Sequence, residues 1–154
     1  MDIQFSDKTP VERYHLLVQS VIPRPIAWIL TAEEDGGLNL APYSFFAPVC
    51  SAPPTLVVSV GQKSAGTEKD SYRNLKRSGW CVVNIADASQ VDSLNMSSAT
   101  LAAGVSETSS FDIPVEPQKH TVFRVKCPKH IPEMPLTGDL TTGVYWRPEG
   151  KEYL

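Results

Sequence analysis

The sequence predicts a mainly β domain: an antiparallel barrel or sandwich with a few peripheral helices. Three observations predict it. Short runs rich in β-branched and aromatic residues recur along the chain, as in "AWILT", "TLVVSVG", "WCVVNIA" and "TVFRVKC". The turn "EEDGG" sits between two of these runs at hairpin spacing. Helical patterns are few and do not alternate regularly with the strands, which a doubly wound parallel sheet requires. The 154 residues suit one domain over 1–154.

The elements follow in order. "TPVERYHLLVQ" (9–19) reads as a helix, with Thr9 as cap, Pro10 in the first helical position and Glu12 completing a capping box. "RPIAWILTAEEDGGLNLAPYSFF" (24–46) reads as a β-hairpin in which Ile26, Trp28 and Leu30 alternate with Ala27, Ile29 and Thr31. Pro48, Pro53 and Pro54 then predict a loop that does not pair as sheet. "TLVVSVG" (55–61) reads as a buried strand. A helix follows over 67–79, where Thr67 and Asp70 have capping-box spacing and Gly79 supplies the stop. Residues 80–86 read as a second buried strand, 88–98 as helix, and 121–127 and 141–148 as strands. Segments 99–120 and 128–140 are rich in Pro, Ser, Thr and Gly and read as loops.

Composition removes several function classes. A net charge of −3 with no basic stripe argues against nucleic acid, and no polybasic patch or long apolar run suggests a membrane. Three scattered cysteines form neither a disulfide framework nor a CxxC zinc site, and they fit a reducing cytoplasm. The N-terminal residues lack the basic and apolar regions of a signal peptide. His15, His120 and His130 sit in no nucleophile or metal motif, so no catalytic triad and no metal site is expected.

Two stretches could hold a ligand. In "SVGQKSAGTEKDSYRNL" (59–75) a strand leads through a glycine loop into a helix. Free N–H groups, the helix dipole, Lys63, Lys69 and the hydroxyls of Ser64, Thr67 and Ser71 could cradle a phosphate, or the segment is simply a capped helix. In "LNLAPYSFF" (38–46), Asn39, Tyr43 and Ser44 offer hydrogen-bonding groups. Ala41 and Pro42 would let a flat ring approach the backbone, while Phe45 and Phe46 are also candidate core residues. Arg24 could bind a phosphate or pair with a carboxylate.

Together "PRPIAW", "DGGLNLAPYSFF", "PP…VSVG", "KDSYRNLKRSG" and "VVNIAD", ending in "AAGVSET", resemble the flavin reductase-like domain family, the FMN-binding split barrels that include flavoredoxins. The resemblance covers residues 20–107. It implies a Greek-key split β-barrel, a homodimer with FMN near the subunit interface, and hydride transfer from NAD(P)H nicotinamide C4 to flavin N5. It also implies site residues. Asn39, Leu40, Ala41, Pro42, Tyr43, Ser44 and Phe45 would line the isoalloxazine, with Ser59, Val60 and Gly61 as the neighbouring wall. Lys69, Asp70 and Ser71, with Lys63, would hold the phosphate end, and Arg24 would lie near the cofactor. Backbone N–H groups of 41–44 and 59–61 are the expected donors to the reduced ring. A flavin-binding electron carrier without its own nicotinamide site is the alternative. The family's chains often run longer, so 108–154 is expected to be a compact, divergent or shortened C-terminal part.

Overall fold

The computed structural model describes residues 3–52, 54–63, 67–102, 105–115, 122–126 and 142–146. Among the described residues, seven strands lie in two sheets and every pairing is antiparallel. The larger sheet has the order β2 (Leu38–Tyr43), β1 (Ala27–Ala32), β5 (Trp80–Asn84), β6 (Val122–Lys126). The smaller has the order β3 (Phe46–Ser51), β4 (Pro54–Val60), β7 (Thr142–Trp146). Four helices accompany them: α1 (Pro10–Ser20), α2 (Asp70–Ser78), α3 (Val91–Met96) and α4 (Glu107–Ser110). No helix among the described residues is long and apolar enough to cross a membrane.

Local chemistry explains the elements that sequence reading placed. The Thr9 hydroxyl accepts the Glu12 N–H, and the Glu12 carboxylate accepts the Thr9 N–H, so the capping box starts α1 as expected. The hairpin of β1 and β2 turns through Gly36 at φ +89°, a left-handed conformation that costs glycine little. Two-residue alternation then splits β1 between two cores. Ala27 and Ile29 pack with Tyr43, Val58, Val83 and the α2 residues Tyr72 and Leu75. Trp28 packs on the opposite face with Leu40 and Ile113. The Trp28 indole N–H reaches the buried Ser97 hydroxyl at 2.9 Å, which ties the end of α3 to the sheet.

Three expectations change. The proline segment after residue 46 is not a loop: Phe46–Ser51 pairs with β4 around a bulge between Pro48 and Cys50. Pro48 is tolerated because β3 is the edge of its sheet, where a missing N–H breaks no ladder. Helix α2 begins at Asp70, with Lys69 as its cap and no side-chain capping bond, so Thr67 and Asp70 form no capping box. Asp70 is drawn instead to two cations, described below. Within 99–120, expected as loop, Glu107–Ser110 is a short helix.

Gly79 ends α2 at φ +73°, and its N–H donates to the Leu75 carbonyl at 2.8 Å. A side chain there would meet open space, so the backbone conformation alone sets the penalty. Gly79→Ala should lose about 1–2 kcal/mol, the cost of a left-handed non-glycine residue. Urea denaturation checks it; an unchanged midpoint would contradict the capping role.

Candidate functional site

A cleft opens where the outer edge of β2 faces the N-terminus of α2. Asn39, Ala41, Pro42 and Tyr43 form one wall, and Lys63, Lys69, Asp70 and Ser71 form the second. The third is the backbone after α3, from Ser97 to Leu101, together with Glu107. The enclosed volume is ≈ 60 Å³. Small-molecule pockets usually hold about 300–1,000 Å³. The described residues therefore supply a wall and a floor rather than a closed chamber.

Strand β2 can serve as a wall because its outer edge has no partner strand among the described residues. Such an edge must be managed. Here the segment before and within α4 does it with side chains. The Ser106 hydroxyl donates to the Leu38 carbonyl, and the Leu40 N–H donates to the Glu107 carboxylate at 3.0 Å. Pro42 lies two residues beyond Leu40, so its absent N–H falls on the same outer side. The Ala41 and Tyr43 N–H groups alternate inward to β1. The expected backbone donors at 41–43 are thus occupied or missing. The Ser59 N–H is occupied too, bound to the Phe45 carbonyl at 2.9 Å.

Charge is concentrated at the α2 end. Asp70 accepts Lys63 on one carboxylate oxygen and lies 2.6 Å from Arg73 Nη1 on the other. Arg73 continues to Glu33 at 3.4 Å, and Lys63 also donates to the Leu101 carbonyl at 3.2 Å. Lys69 is placed differently: its ammonium sits 5.7 Å from the Tyr43 ring centroid, a cation–π distance at the cleft wall. Beneath the cleft, the Asn39 amide donates to Ser71 at 2.8 Å and to Thr31 at 3.4 Å, and Asn74 donates to Thr31 at 3.1 Å. All four residues are buried. Asn39 therefore lines the cleft while its amide N–H groups hold the floor together.

Two titratable groups respond to this burial. Burial pushes the Tyr43 hydroxyl up to about 12, with Ser71 opposing and Glu107 and Asp70 adding to the rise. That hydroxyl is buried, and although Ser71 lies near enough to oppose the rise, no bond of full hydrogen-bond geometry reaches it among the described residues. Burial also raises the Glu107 carboxyl; the Leu40 N–H and its own N–H oppose the rise, Asp70 adds to it and Lys63 opposes it.

Eight of the residues singled out in the sequence meet here: Asn39, Ala41, Pro42, Tyr43 on the strand side, and Lys63, Lys69, Asp70, Ser71 on the helix side. Others do not line the cleft. Leu40 turns its side chain into the second core and contributes only its backbone. Val60 is in the first core, Ser59 and Gly61 flank it, and Ser44 leads out of β2. Phe45 is exposed and meets Tyr14 edge-on at 5.9 Å. Arg24 caps α1, donating to the Val18 and Val21 carbonyls at 2.6 and 3.1 Å, with its Nε buried and unpaired. Ser64 lies outside the described residues. Sequence reasoning missed the 97–101 backbone and Glu107. The only local signal was the hydroxyl-rich run "MSSAT" and an acid in "SET", and neither spacing encodes a contact with β2.

The orphaned hydroxyl yields a prediction. Tyr43→Phe should leave stability at neutral pH within about 1 kcal/mol of wild type, or raise it, because no hydrogen bond is lost. The Tyr43 value lies above the ordinary 10.0. Its stability contribution is therefore complete below pH ~10 and lost as pH rises through ~12. Alkaline unfolding followed by circular dichroism should be less steep in the variant over that window; identical profiles would contradict the burial argument.

Comparison with known proteins places this chain in a family. The family model described as "Flavin reductase like domain" matches residues 19–131. An uncharacterized protein of Halalkalibacterium halodurans, BH2278, is 36% identical over 124 residues, 75% of this chain and 59% of that protein. The chain thus spans little more than half the length of that relative. Nitrilotriacetate monooxygenase component B from Bacillus cereus superposes with TM-score 0.82 at 31% identity, covering 96% of this chain and 78% of that one. A split-barrel-domain structure from Shewanella frigidimarina superposes at 0.73 with 17% identity, covering 96% and 77%, a likeness of fold alone. Two antiparallel sheets, a cleft on the β2 edge and a family match across most of the chain agree: the protein belongs to the flavin reductase like domain family.

Proposed function

We propose that the protein is an FMN-binding oxidoreductase that uses NAD(P)H as electron donor. The observation that carries the reading is the cleft itself, in a chain of this family. It joins a buried, unpartnered Tyr43 hydroxyl to a small-residue strand face and a cationic corner. Those residues fit the group. Ala41 and Pro42 present little side-chain bulk to a flat ring. Lys69, at the N-terminus of the nine-residue α2, suits a phosphate, with Lys63 close by. The Tyr43 hydroxyl supplies a polar contact that the fold leaves unused.

When bound, the flavin would supply the redox chemistry, taking a hydride at N5 from the nicotinamide C4. The chain's own part is binding, orientation and exclusion of water. Asp70 would not touch the phosphate; it holds Lys63 and Arg73 in place. Glu107 and Ser106 would fix the strand edge against which the ring lies, and the Asn39–Ser71–Thr31–Asn74 network would keep that edge and α2 in register. No acid–base dyad is required, since hydride transfer depends on stacked geometry.

A second copy of the chain is the proposed partner. Helix α1 buries none of its residues, and Val11, Tyr14 and Leu17 on it are exposed at 64%, 49% and 42%. Val49 on β3 adds 55% and Phe45 adds 38%. An apolar surface of this kind marks an interaction site. A homodimer would cover it and supply the enclosure that the ≈ 60 Å³ cleft lacks. Light scattering should give the dimer mass; a monomer with FMN bound would contradict this arrangement.

Lys69→Ala should weaken FMN binding by about 1.5–3 kcal/mol, the range for hydrogen bonds to charged groups. Fluorescence titration reads it, and an unchanged dissociation constant would remove Lys69 from the site. Rapid mixing of the FMN-loaded protein with NADH and with NADPH should bleach the flavin band with at least one of them. Reduction by dithionite and by neither nicotinamide would replace this reading with an electron carrier.

A further inference from the structure

Two carboxylates border the cleft, and they are not equivalent. Asp70 is held by two cations, Lys63 and Arg73. Glu107 has no ion pair among the described residues. Its carboxylate takes the neutral Leu40 N–H at 3.0 Å, and the residue is 5% exposed. Charged and titratable groups face it from each neighbouring element: Tyr43 from β2, Asp70 from the start of α2 and Lys63 from the loop before it, while Lys69 lines the same cleft. The 97–101 backbone brings no charge.

We propose that Glu107 is the proton acceptor of this cleft: an anion bound at Lys69 drives a solvent proton onto the Glu107 carboxylate, so that anion binding and proton uptake are coupled. The inference rests on the anionic half of the proposed function. It follows from the unequal pairing. An added negative charge must be relieved somewhere, because like charges in a partly buried site disfavour joint ionisation. Asp70 already has two cations against it. Glu107, without one, is the group that gives way. Burial raises its folded-state pKa, the direction that favours the protonated form. No electron moves and no carbon bond changes; one proton passes from solvent to a Glu107 oxygen. The neutral acid keeps a carbonyl oxygen that still accepts the Leu40 N–H. Protonation therefore leaves the edge of β2 in place, and Glu107 acts on the ligand's charge without releasing the wall.

Glu107→Gln mimics the protonated form and retains an acceptor for Leu40. Calorimetric titration of wild type and Glu107→Gln, with FMN and separately with inorganic phosphate, in buffers of different ionisation enthalpy, counts the protons taken up. Wild type should take up a larger fraction of a proton per anion than the variant. Its affinity should gain up to about tenfold per pH unit of acidification relative to the variant, the limit for one coupled proton. Each ligand's own second phosphate ionisation is common to both proteins and cancels in that difference. Equal proton uptake in the two proteins would overturn the proposal. Phosphate binding with Glu107-dependent uptake but no FMN binding would uphold it and overturn only the flavin reading. Binding of neither ligand would overturn both. If the variant fails to fold, infrared difference spectra of wild type decide: a protonated-carboxyl band appearing with the anion supports the proposal, and its absence refutes it.

Discussion

The Asp70 carboxylate is the interaction on which the cleft depends. One oxygen holds Lys63, which stands just after β4; the other lies against Arg73, one turn further along α2. Arg73 in turn reaches Glu33 in the β1–β2 hairpin, and Lys63 reaches the Leu101 carbonyl. A single side chain thus links both sheets, α2 and the loop after α3. The Asp70 side chain is only 10% exposed, so the pairing carries a desolvation cost that its cations must offset. Loss of the carboxylate would leave the two cations facing one another. It explains why Asp70 forgoes a cap with Thr67, and why Lys63 is committed to the fold while Lys69 is left at the cleft wall.

The second constraint is the free edge of β2. An unpaired edge invites association with another chain, and the structure blunts it with three different devices within five residues: a serine hydroxyl on Leu38, a carboxylate on Leu40 and a proline at 42. The outcome is an edge whose Leu40 donor is occupied and whose Pro42 donor is absent, with the Lys69 ammonium against Tyr43 on the α2 side.

Much of the fold was legible because its signals are local. The capping box of α1, the glycine turn at 36 and the left-handed stop at Gly79 each rest on residues within one turn of one another. Half of the candidate wall was legible for a similar reason: strand β2 and the start of α2 carry their own residue patterns. What could not be read is long-range. Leu40 and Glu107 are 67 residues apart, and Trp28 and Ser97 are 69 apart. No spacing rule encodes such contacts. Pro48 illustrates the opposite failure, where a residue type suggests a loop and the surroundings supply a sheet edge that tolerates it.

A flavin site between β2 and α2 is read from the visible spectrum. The visible spectrum of the purified protein should be recorded as isolated, and again after adding FMN and removing the unbound excess. The account predicts oxidised-flavin bands that stay with the protein in wild type and weaken in Lys69→Ala. A colourless protein that retains no added FMN would contradict it, leaving the split-barrel fold in place and its redox chemistry without support.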